Sequence, residues 1–153
     1  MTMNQLEIFI EDLGKSLNIK DLKPDKFNTC LLKIEQKIEV QIEMDKDPNY
    51  LFFGTILGEI PPGRYRENLF EAALKMNRSS PTSIGILAYS KKNNQLIMFD
   101  RISIKDLNGN KTADCLKAFV EKTKIWKEAI EKGDIPSISE KNRKFEHARL
   151  FGL

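Results

Sequence analysis

The sequence has few of the side chains from which catalytic and metal sites are built. Among its 153 residues are one histidine, His147, and two cysteines, Cys30 and Cys115. A histidine-centred metal site or a cysteine–histidine pair would therefore have to recruit His147 from the C-terminal end of the chain. Carboxylate pairs such as Glu39 and Glu43 fall on the polar side of an alternating segment, which is typical of solvated strands. We therefore predict no catalytic residues, no metal and no cofactor. The competing hypothesis is an enzyme that uses carboxylates or lysines in a pattern we do not recognise.

Two short motifs resemble ligand-binding loops but lack a residue that each loop needs. Residues 14–16 read Gly-Lys-Ser, like the end of a phosphate-binding loop, yet Phe9 occupies the position of that loop's first glycine. The segment 106–110 alternates acidic and amide residues like a calcium loop, yet Lys117 stands where a bidentate carboxylate is required. Neither motif predicts a ligand, because the first fits the inside of a helix and the second a turn before one.

Long apolar runs and a basic leader are also absent. No segment approaches the roughly 20 apolar residues that a membrane-spanning helix needs. Residues 1–16 have the pattern of an acidic amphipathic helix and not that of a secretion signal. Cys30 and Cys115 each lie in an apolar pattern, which favours reduced thiols in the cytoplasm over a single disulfide between them. We therefore predict a cytoplasmic protein with no membrane partner.

The composition is that of a folded domain with little charge excess. Hydrophobic residues make up 41% and charged residues 31% of the chain, which is enough apolar material for a core. A single domain is expected at this length. The net charge of +3 is the small difference between 25 basic and 22 acidic residues. The charge alone therefore does not predict nucleic acid as a partner.

Apolar periodicity predicts an α+β domain in the order helix, three strands, helix, two strands, helix. The first helix is expected to begin at a Thr2–Gln5 capping box, and Thr112 and Gly133 are expected to cap the last helix. Alternating or continuous apolar residues predict the strands, and helical spacing predicts the second helix. The strands are expected at residues 27–33, 38–44, 50–60, 83–89 and 95–102, and the second helix at 64–76. We expect an antiparallel twisted sheet packed by the helices.

Residues 1–133 are expected to form this domain, and residues 134–153 a basic C-terminal tail. Ser137 and Glu140 match a capping box, which is compatible with a fourth helix. The tail mixes basic and aromatic residues, as do segments that bind RNA or an acidic protein. These residues are Lys141, Arg143, Lys144, Phe145, Arg149 and Phe151. A dimeric adaptor that uses them is our second functional hypothesis, and a steep salt dependence of binding would distinguish it.

Three segments are similar in pattern to class I type III secretion chaperones of the Tir-chaperone family. They are Leu57-Gly58-Glu59-Ile60-Pro61, Leu69-Phe70-Glu71-Ala72-Ala73-Leu74-Lys75-Met76-Asn77 and Gly85-Ile86-Leu87-Ala88-Tyr89. With the order of elements, the resemblance covers residues 6–130. It implies a cytoplasmic bacterial protein that acts by binding alone, keeps a secreted effector extended and docks it at the secretion ATPase. Members of the family are typically acidic, whereas this chain has a pI near 8.8, so an acidic effector segment would suit it.

The resemblance also implies two sets of binding residues. The middle helix and the strand after it would meet their counterparts in a homodimer, whereas periodicity alone fits equally well a helix that covers its own sheet. The residues implied in the dimer interface are Leu69, Phe70, Ala73, Leu74, Ile84 and Ile86. Grooves between the first helix and the first strands would hold the N-terminal region of the effector, in part as an added edge strand. The residues implied there, some of which are also expected to be core, are Leu6, Phe9, Leu13, Cys30, Leu32, Val40 and Ile42.

Overall fold

The computed structural model describes residues 4–79, 84–105 and 109–137. Its elements follow the predicted order of helix, three strands, helix, two strands and helix. They are α1 (Gln5–Leu17), β1 (Thr29–Ile34), β2 (Ile38–Met44), β3 (Tyr50–Glu59), α2 (Arg64–Ser79), β4 (Ile86–Ser90), β5 (Gln95–Ser103) and α3 (Gly109–Lys132). Several predicted features lie outside the described residues: Thr2, the strand start at Ser83, residues 106–108 of the turn predicted at 106–110, and the tail from residue 138 onward, with its basic and aromatic residues and His147.

Asn4 caps the start of α1. Its side-chain oxygen accepts a hydrogen bond from the backbone N–H of Glu7 at 2.9 Å, and the Glu7 carboxylate accepts one from the backbone N–H of Asn4 at 2.9 Å. This reciprocal pair is a capping box, and it satisfies two backbone donors that the helix itself leaves free. The helix ends at Asn18, which adopts the left-handed conformation with φ of 56°. The predicted Thr2–Gln5 box is therefore wrong, since Gln5 is the first residue of the helix.

The five strands form one antiparallel sheet in the order β1-β2-β3-β5-β4. The first three strands form a meander, β5 pairs with β3, and β4 lies outside β5. Cys30 lies opposite Ile42 and Ile42 lies opposite Phe53, so these side chains share one face. Buried and exposed residues alternate from Ile38 to Ile42, which confirms the predicted half-buried strand. β1 and β4 are the two edge strands.

Helices α1 and α3 pack against each other over the core face of the sheet, and α2 packs beside β4. The Phe119 ring of α3 meets the Phe53 ring of β3 edge-on, with centroids 6.0 Å apart. The largest fully buried side chains include Trp126, Phe53, Phe119, Leu6, Ile10, Leu13, Ile42 and Leu51. Burying one such side chain contributes about 1.5–3 kcal/mol. The core therefore lies between these two helices and one face of the sheet.

Two strands begin later than predicted, for local reasons. β1 begins at Thr29 and not at residue 27, because a turn held by the side chain of Asp25 occupies the residues before it. β4 begins at Ile86 and not at residue 83, because Gly85 adopts φ of 100°, a backbone conformation that interrupts an extended strand and is open mainly to glycine. The bounds of β2 match the prediction.

Two helix boundaries also differ. α2 continues to Ser79, three residues beyond its predicted end. α3 already begins at Gly109, so Thr112 is a buried residue inside the helix and not its cap. Gly133, with φ of 71°, follows the last residue of α3 as predicted.

Candidate protein-binding surfaces

The outer edge of β1 is open from Leu31 onward. The backbone N–H of Thr29 donates to Asp25 Oδ1 at 3.1 Å, and the Thr29 carbonyl accepts from the N–H of Asp25 at 2.8 Å. The backbone groups of Thr29 therefore point away from β2, and those of Leu31 and Lys33 point the same way, because backbone direction alternates along an antiparallel strand. Within the described residues, no group outside the sheet bonds to the backbone of Leu31 or Lys33. These unpaired groups form a template for another strand.

A tight turn before β1 presents an aromatic side chain to solvent. The carboxylate of Asp25 accepts from the N–H of Phe27 at 2.8 Å, and the Asp25 carbonyl accepts from the N–H of Asn28 at 3.0 Å. The Asn4 side-chain amide donates to Asn28 Oδ1 at 2.9 Å, which ties the turn to the start of α1. The Phe27 side chain is nevertheless 74% exposed. A rigid turn that exposes a phenylalanine beside an open strand edge is a preorganised apolar contact.

The residues predicted to bind an effector lie together, but mostly inside the core. Leu6, Leu13, Cys30, Leu32, Val40 and Ile42 are all at most 4% exposed. Phe9, on α1, is partly buried. Their neighbours on the opposite side of the same elements are the accessible ones: Ile8 is 49% and Leu31 52% exposed. Strict alternation along β1 was the sequence signal that distinguishes Leu31 from Leu32.

A cleft of about 990 Å³ lies between α1 and the segment that follows it. Its charged lining is balanced, with three carboxylates and three ammonium groups. They are Glu7, Glu11, Asp21, Lys15, Lys20 and Lys23. Lys15 and Glu11 form an ion pair at 3.0 Å, and the hydrogen bond to Glu11 raises the pKa of Lys15. Because acidic and basic groups are equal in number and Lys15 pairs with Glu11, the charge of the cleft favours a ligand of neither sign.

The edge of β4, in contrast, is occupied by side chains of this chain. The Asn77 amide group bonds both backbone groups of Leu87, donating to the carbonyl at 2.8 Å and accepting from the N–H at 2.9 Å. At Gly85, the N–H donates to Asp100 Oδ2 at 2.6 Å and the carbonyl accepts from Lys122 Nζ at 2.6 Å. These side chains satisfy the outward backbone groups of Gly85 and Leu87, which an incoming strand would use. Among the described residues, only the outward backbone groups of Tyr89 on this strand have no such partner.

The residues predicted in the dimer interface divide into buried and exposed sets. Leu69 and Ala73 face the core, with 0% and 5% exposure. Phe70 and Ile84 are partly buried and pack against the core. Leu74 is 69% exposed and Ile86 is 43% exposed. α2 therefore both covers the β4 side of the domain and presents an apolar residue outward.

The sheet face turned away from the core is apolar near β4 and polar near β1. Phe99 lies opposite both Gly54 and Ile86, and the Phe52 ring stacks on Phe99 with centroids 6.1 Å apart. Ile56, on the same face, is 53% exposed. On β2 the outward residues are instead Glu39, Gln41 and Glu43. We did not predict this apolar surface from the sequence. The signal for it was present, because the β3 segment has apolar residues at positions that face both sides of the sheet.

The two thiols are free and their surroundings suppress ionisation. Cys30 is buried and Cys115 is partly buried. Burial raises the pKa of both thiols, with Asp25 adding to the effect at Cys30 and Asp114 at Cys115. A protonated thiol is a poor nucleophile and metal ligand.

The described part of the chain contains neither a candidate metal site nor a membrane-spanning helix. No group of three or more histidine, cysteine or acidic side chains is placed there to hold a metal ion. None of the helices in this part is both long and apolar enough to span a bilayer.

Several solved structures contain chains of the same fold. A chain in the HopA1–SchA chaperone–effector complex matches with a TM-score of 0.66 and 17% identity, over 84% of this chain and 100% of that one. The Yersinia pestis type III secretion chaperone SycH, solved with a stable fragment of YscM2, gives a TM-score of 0.64 and 17% identity, over 78% and 97% of the two chains. The ExoT–SpcS complex from Pseudomonas aeruginosa gives 0.56 and 16%, over 80% and 97%. The α+β fold is therefore that of proteins solved in such complexes.

The sequence itself defines the family. No curated protein matches it significantly. The Tir chaperone protein (CesT) family matches residues 8–127, which is most of the chain. The chain belongs to the Tir chaperone protein (CesT) family. The predicted family and fold are confirmed, and the protein is by family a chaperone of type III secretion.

Proposed function

We propose that this protein is a bacterial cytoplasmic chaperone that holds the N-terminal region of a type III secreted effector in extended form. The open edge of β1, next to the exposed side chains of Phe27 and Leu31, is the observation that carries the proposal. A segment paired along this edge has its backbone satisfied and cannot collapse or aggregate. Delivery of the loaded complex to the secretion ATPase is part of the same proposal.

The effector segment adds a strand beside β1. Its backbone pairs with the outward N–H and C=O groups of Leu31 and Lys33, and its alternate side chains contact Leu31 and Phe27. Phe9 and Ile8 of α1 provide further apolar contact on the helix side. The six buried residues of the predicted effector-binding set form the wall beneath this surface, because their side chains are already packed in the free chain.

Lys33→Pro tests the edge selectively. Of the backbone hydrogen-bonding groups, proline removes only the N–H at position 33, which points away from β2, so the backbone hydrogen bonds between β1 and β2 are kept. The ion pair between Lys33 and Glu39 is lost as well. We expect capture of a co-expressed effector N-terminal segment to weaken about 10-fold, the value of one lost hydrogen bond and its desolvation. Copurification and titration with the labelled segment measure this.

Lys33→Ala is the matched control, since it removes the same exposed side chain and keeps the N–H. Circular dichroism must show that both variants are folded. If Lys33→Pro is folded and captures the segment as well as Lys33→Ala does, the effector does not pair with β1.

The protein is proposed to act as a homodimer. Leu74 and Ile86 are exposed on neighbouring elements, and Phe70 lies beside them on α2. A charge at Leu74 would be buried without a partner in such an interface, whereas it would be solvated in a monomer. We expect Leu74→Asp to give a folded monomer by light scattering, with a circular dichroism spectrum like that of the native protein. A Leu74→Asp protein that stays dimeric would place the interface elsewhere.

Binding alone supplies this function, so we propose that the protein is not an enzyme and needs no cofactor. The chaperone family to which it belongs supports this. Turnover of any substrate by the purified chain would contradict the proposal.

A further inference from the structure

Arg66 is held against two aromatic side chains near the start of α2. Its guanidinium carbon lies 5.3 Å from the centroid of the Tyr89 ring and 5.9 Å from that of Phe70. Such contacts orient the guanidinium plane. Its Nη1 donates to the Tyr89 hydroxyl at 2.6 Å and lies 3.4 Å from both Ile60 O and Asn94 Oδ1. One end of the guanidinium is therefore fixed by neutral partners.

The other edge of this guanidinium has no partner among the described residues. Nη2 and Nε make no hydrogen bond there, and no carboxylate pairs with Arg66. The Tyr89 hydroxyl donates to Asn94 Oδ1 at 2.6 Å, so its own proton is directed at an amide oxygen. A guanidinium that is oriented in this way and has one edge without a partner can bind a carboxylate through that edge.

Arg101 shows the completed arrangement in the same molecule. Its guanidinium carbon lies 4.3 Å from the centroid of the Tyr50 ring, and its nitrogens pair with the carboxylates of Asp45 and Asp47. Arg66 also packs against aromatic rings, but no carboxylate among the described residues pairs with it. The difference leaves the outer edge of the Arg66 guanidinium available to a carboxylate from outside the described residues.

We propose that Arg66 binds a carboxylate of a second copy of this chain, at the rim of the dimer interface; the inference rests on the proposed homodimer. Nε and Nη2 together form the two-donor edge that matches the two oxygens of a carboxylate. Phe70, on which Arg66 packs, lies one helical turn before Leu74, which is 69% exposed. Arg66 therefore borders the apolar surface that the second copy would cover. The rim around such a surface is where interfaces have their polar and charged contacts.

The test measures the dimer dissociation constant of the full-length protein, without any ligand, by sedimentation velocity over a dilution series at low and high salt. We expect Arg66→Gln to weaken the dimer about 10-fold or more at low salt and to reduce its salt dependence, because charge-assisted bonds are lost from both symmetric sites. Arg66→Lys keeps the charge and loses the two-donor edge, so an intermediate weakening is expected. Arg64→Gln is the matched control: it removes an exposed arginine two residues away and should leave the dimer unchanged.

Four outcomes overturn the inference. If Arg66→Gln dimerises as tightly as the native protein while Leu74→Asp is monomeric, the proposed interface stands but Arg66 binds no carboxylate there. If Arg64→Gln weakens the dimer as much as Arg66→Gln does, the effect comes from the change in net charge and not from a specific contact of Arg66. If Arg66→Gln captures an effector segment more weakly but dimerises like the native protein, the carboxylate that Arg66 binds belongs to the effector and not to a second copy. A native protein that is monomeric at every concentration rejects the homodimer itself. Circular dichroism and the Arg66→Lys series keep the test interpretable if Arg66→Gln folds poorly.

Discussion

β1 and β4 are the two edges of one sheet, yet they differ in how many of their outward backbone groups are hydrogen-bonded by side chains of the chain itself. On β4, Asn77 bonds the backbone of Leu87, and the backbone of Gly85 is bonded by side chains of β5 and α3. On β1, Asp25 bonds only Thr29, and the edge beyond it is open in the described residues. An exposed edge invites pairing with any strand. If an effector segment adds a strand to this sheet, as proposed, β1 offers it more unpaired backbone groups than β4 does.

Opening the closed edge should have the largest effect. Asn77→Ala removes two hydrogen bonds to the backbone of the buried residue Leu87, and we expect it to lower the free energy of unfolding by about 2 kcal/mol. The freed β4 edge should also increase concentration-dependent self-association. Urea unfolding and light scattering measure the two effects. Arg78→Ala, an exposed change on the next residue, is the control, and equal stability of the two variants would show that Asn77 does not protect the edge.

Releasing the turn that limits the open edge should have a smaller effect. Asp25→Ala removes the acceptor of the Phe27 and Thr29 N–H groups, and we expect a loss of about 1 kcal/mol of stability. Capture of an effector segment should weaken a few-fold, because Phe27 loses its fixed position. Asp25→Asn keeps an acceptor oxygen and should behave nearly like the native protein. Unchanged capture by Asp25→Ala would mean that the position of Phe27 is not used in binding.

We expect the smallest effect in the labelling rates of the two thiols. Labelling them probes the native protein without any substitution. Cys30 lies in the open-edge strand but is 1% exposed, whereas Cys115 on α3 is partly buried. We expect a thiol reagent to label Cys115 first in the native protein, and effector binding to slow the labelling of Cys30 by suppressing fraying of β1. Labelling rates followed by mass spectrometry measure this. Faster labelling of Cys30 would show that β1 opens more readily than its burial suggests.

The thiols also give a pH dependence with a definite sign. Burial raises the pKa of Cys30 above its ordinary value, so the native state disfavours the thiolate. The stabilisation from the protonated form is complete below the pKa of the unfolded chain and is lost as the pH rises through the native pKa. We expect stability to fall on the alkaline side, and Cys30→Ser, which does not titrate there, to reduce this slope in urea unfolding. An equal slope in both proteins would exclude Cys30 as its source.

Much of the fold was predictable from local patterns. Alternation placed β2 at its observed bounds, and Gly133 was correctly expected to end α3. Two of the errors fell where side chains reach across turns: Asn4 caps α1 in place of Thr2, and Asp25 delays the start of β1. Such caps depend on geometry that apolar periodicity does not encode. Most residues of the effector-binding prediction are core residues, because apolar periodicity marks the core as strongly as it marks a binding surface.

The order of residues along the chain was sufficient for the elements, their apolar faces and the family, because periodicity and motif spacing are local properties of the sequence. It did not contain the order of strands in the sheet, and so it could not tell that β1 and β4 are edges or that Asn77 closes one of them. Nor did it bring Arg66, Phe70 and Tyr89 together. These relations join residues far apart in the chain, and the pairing of strands and the packing of helices on them establish such contacts.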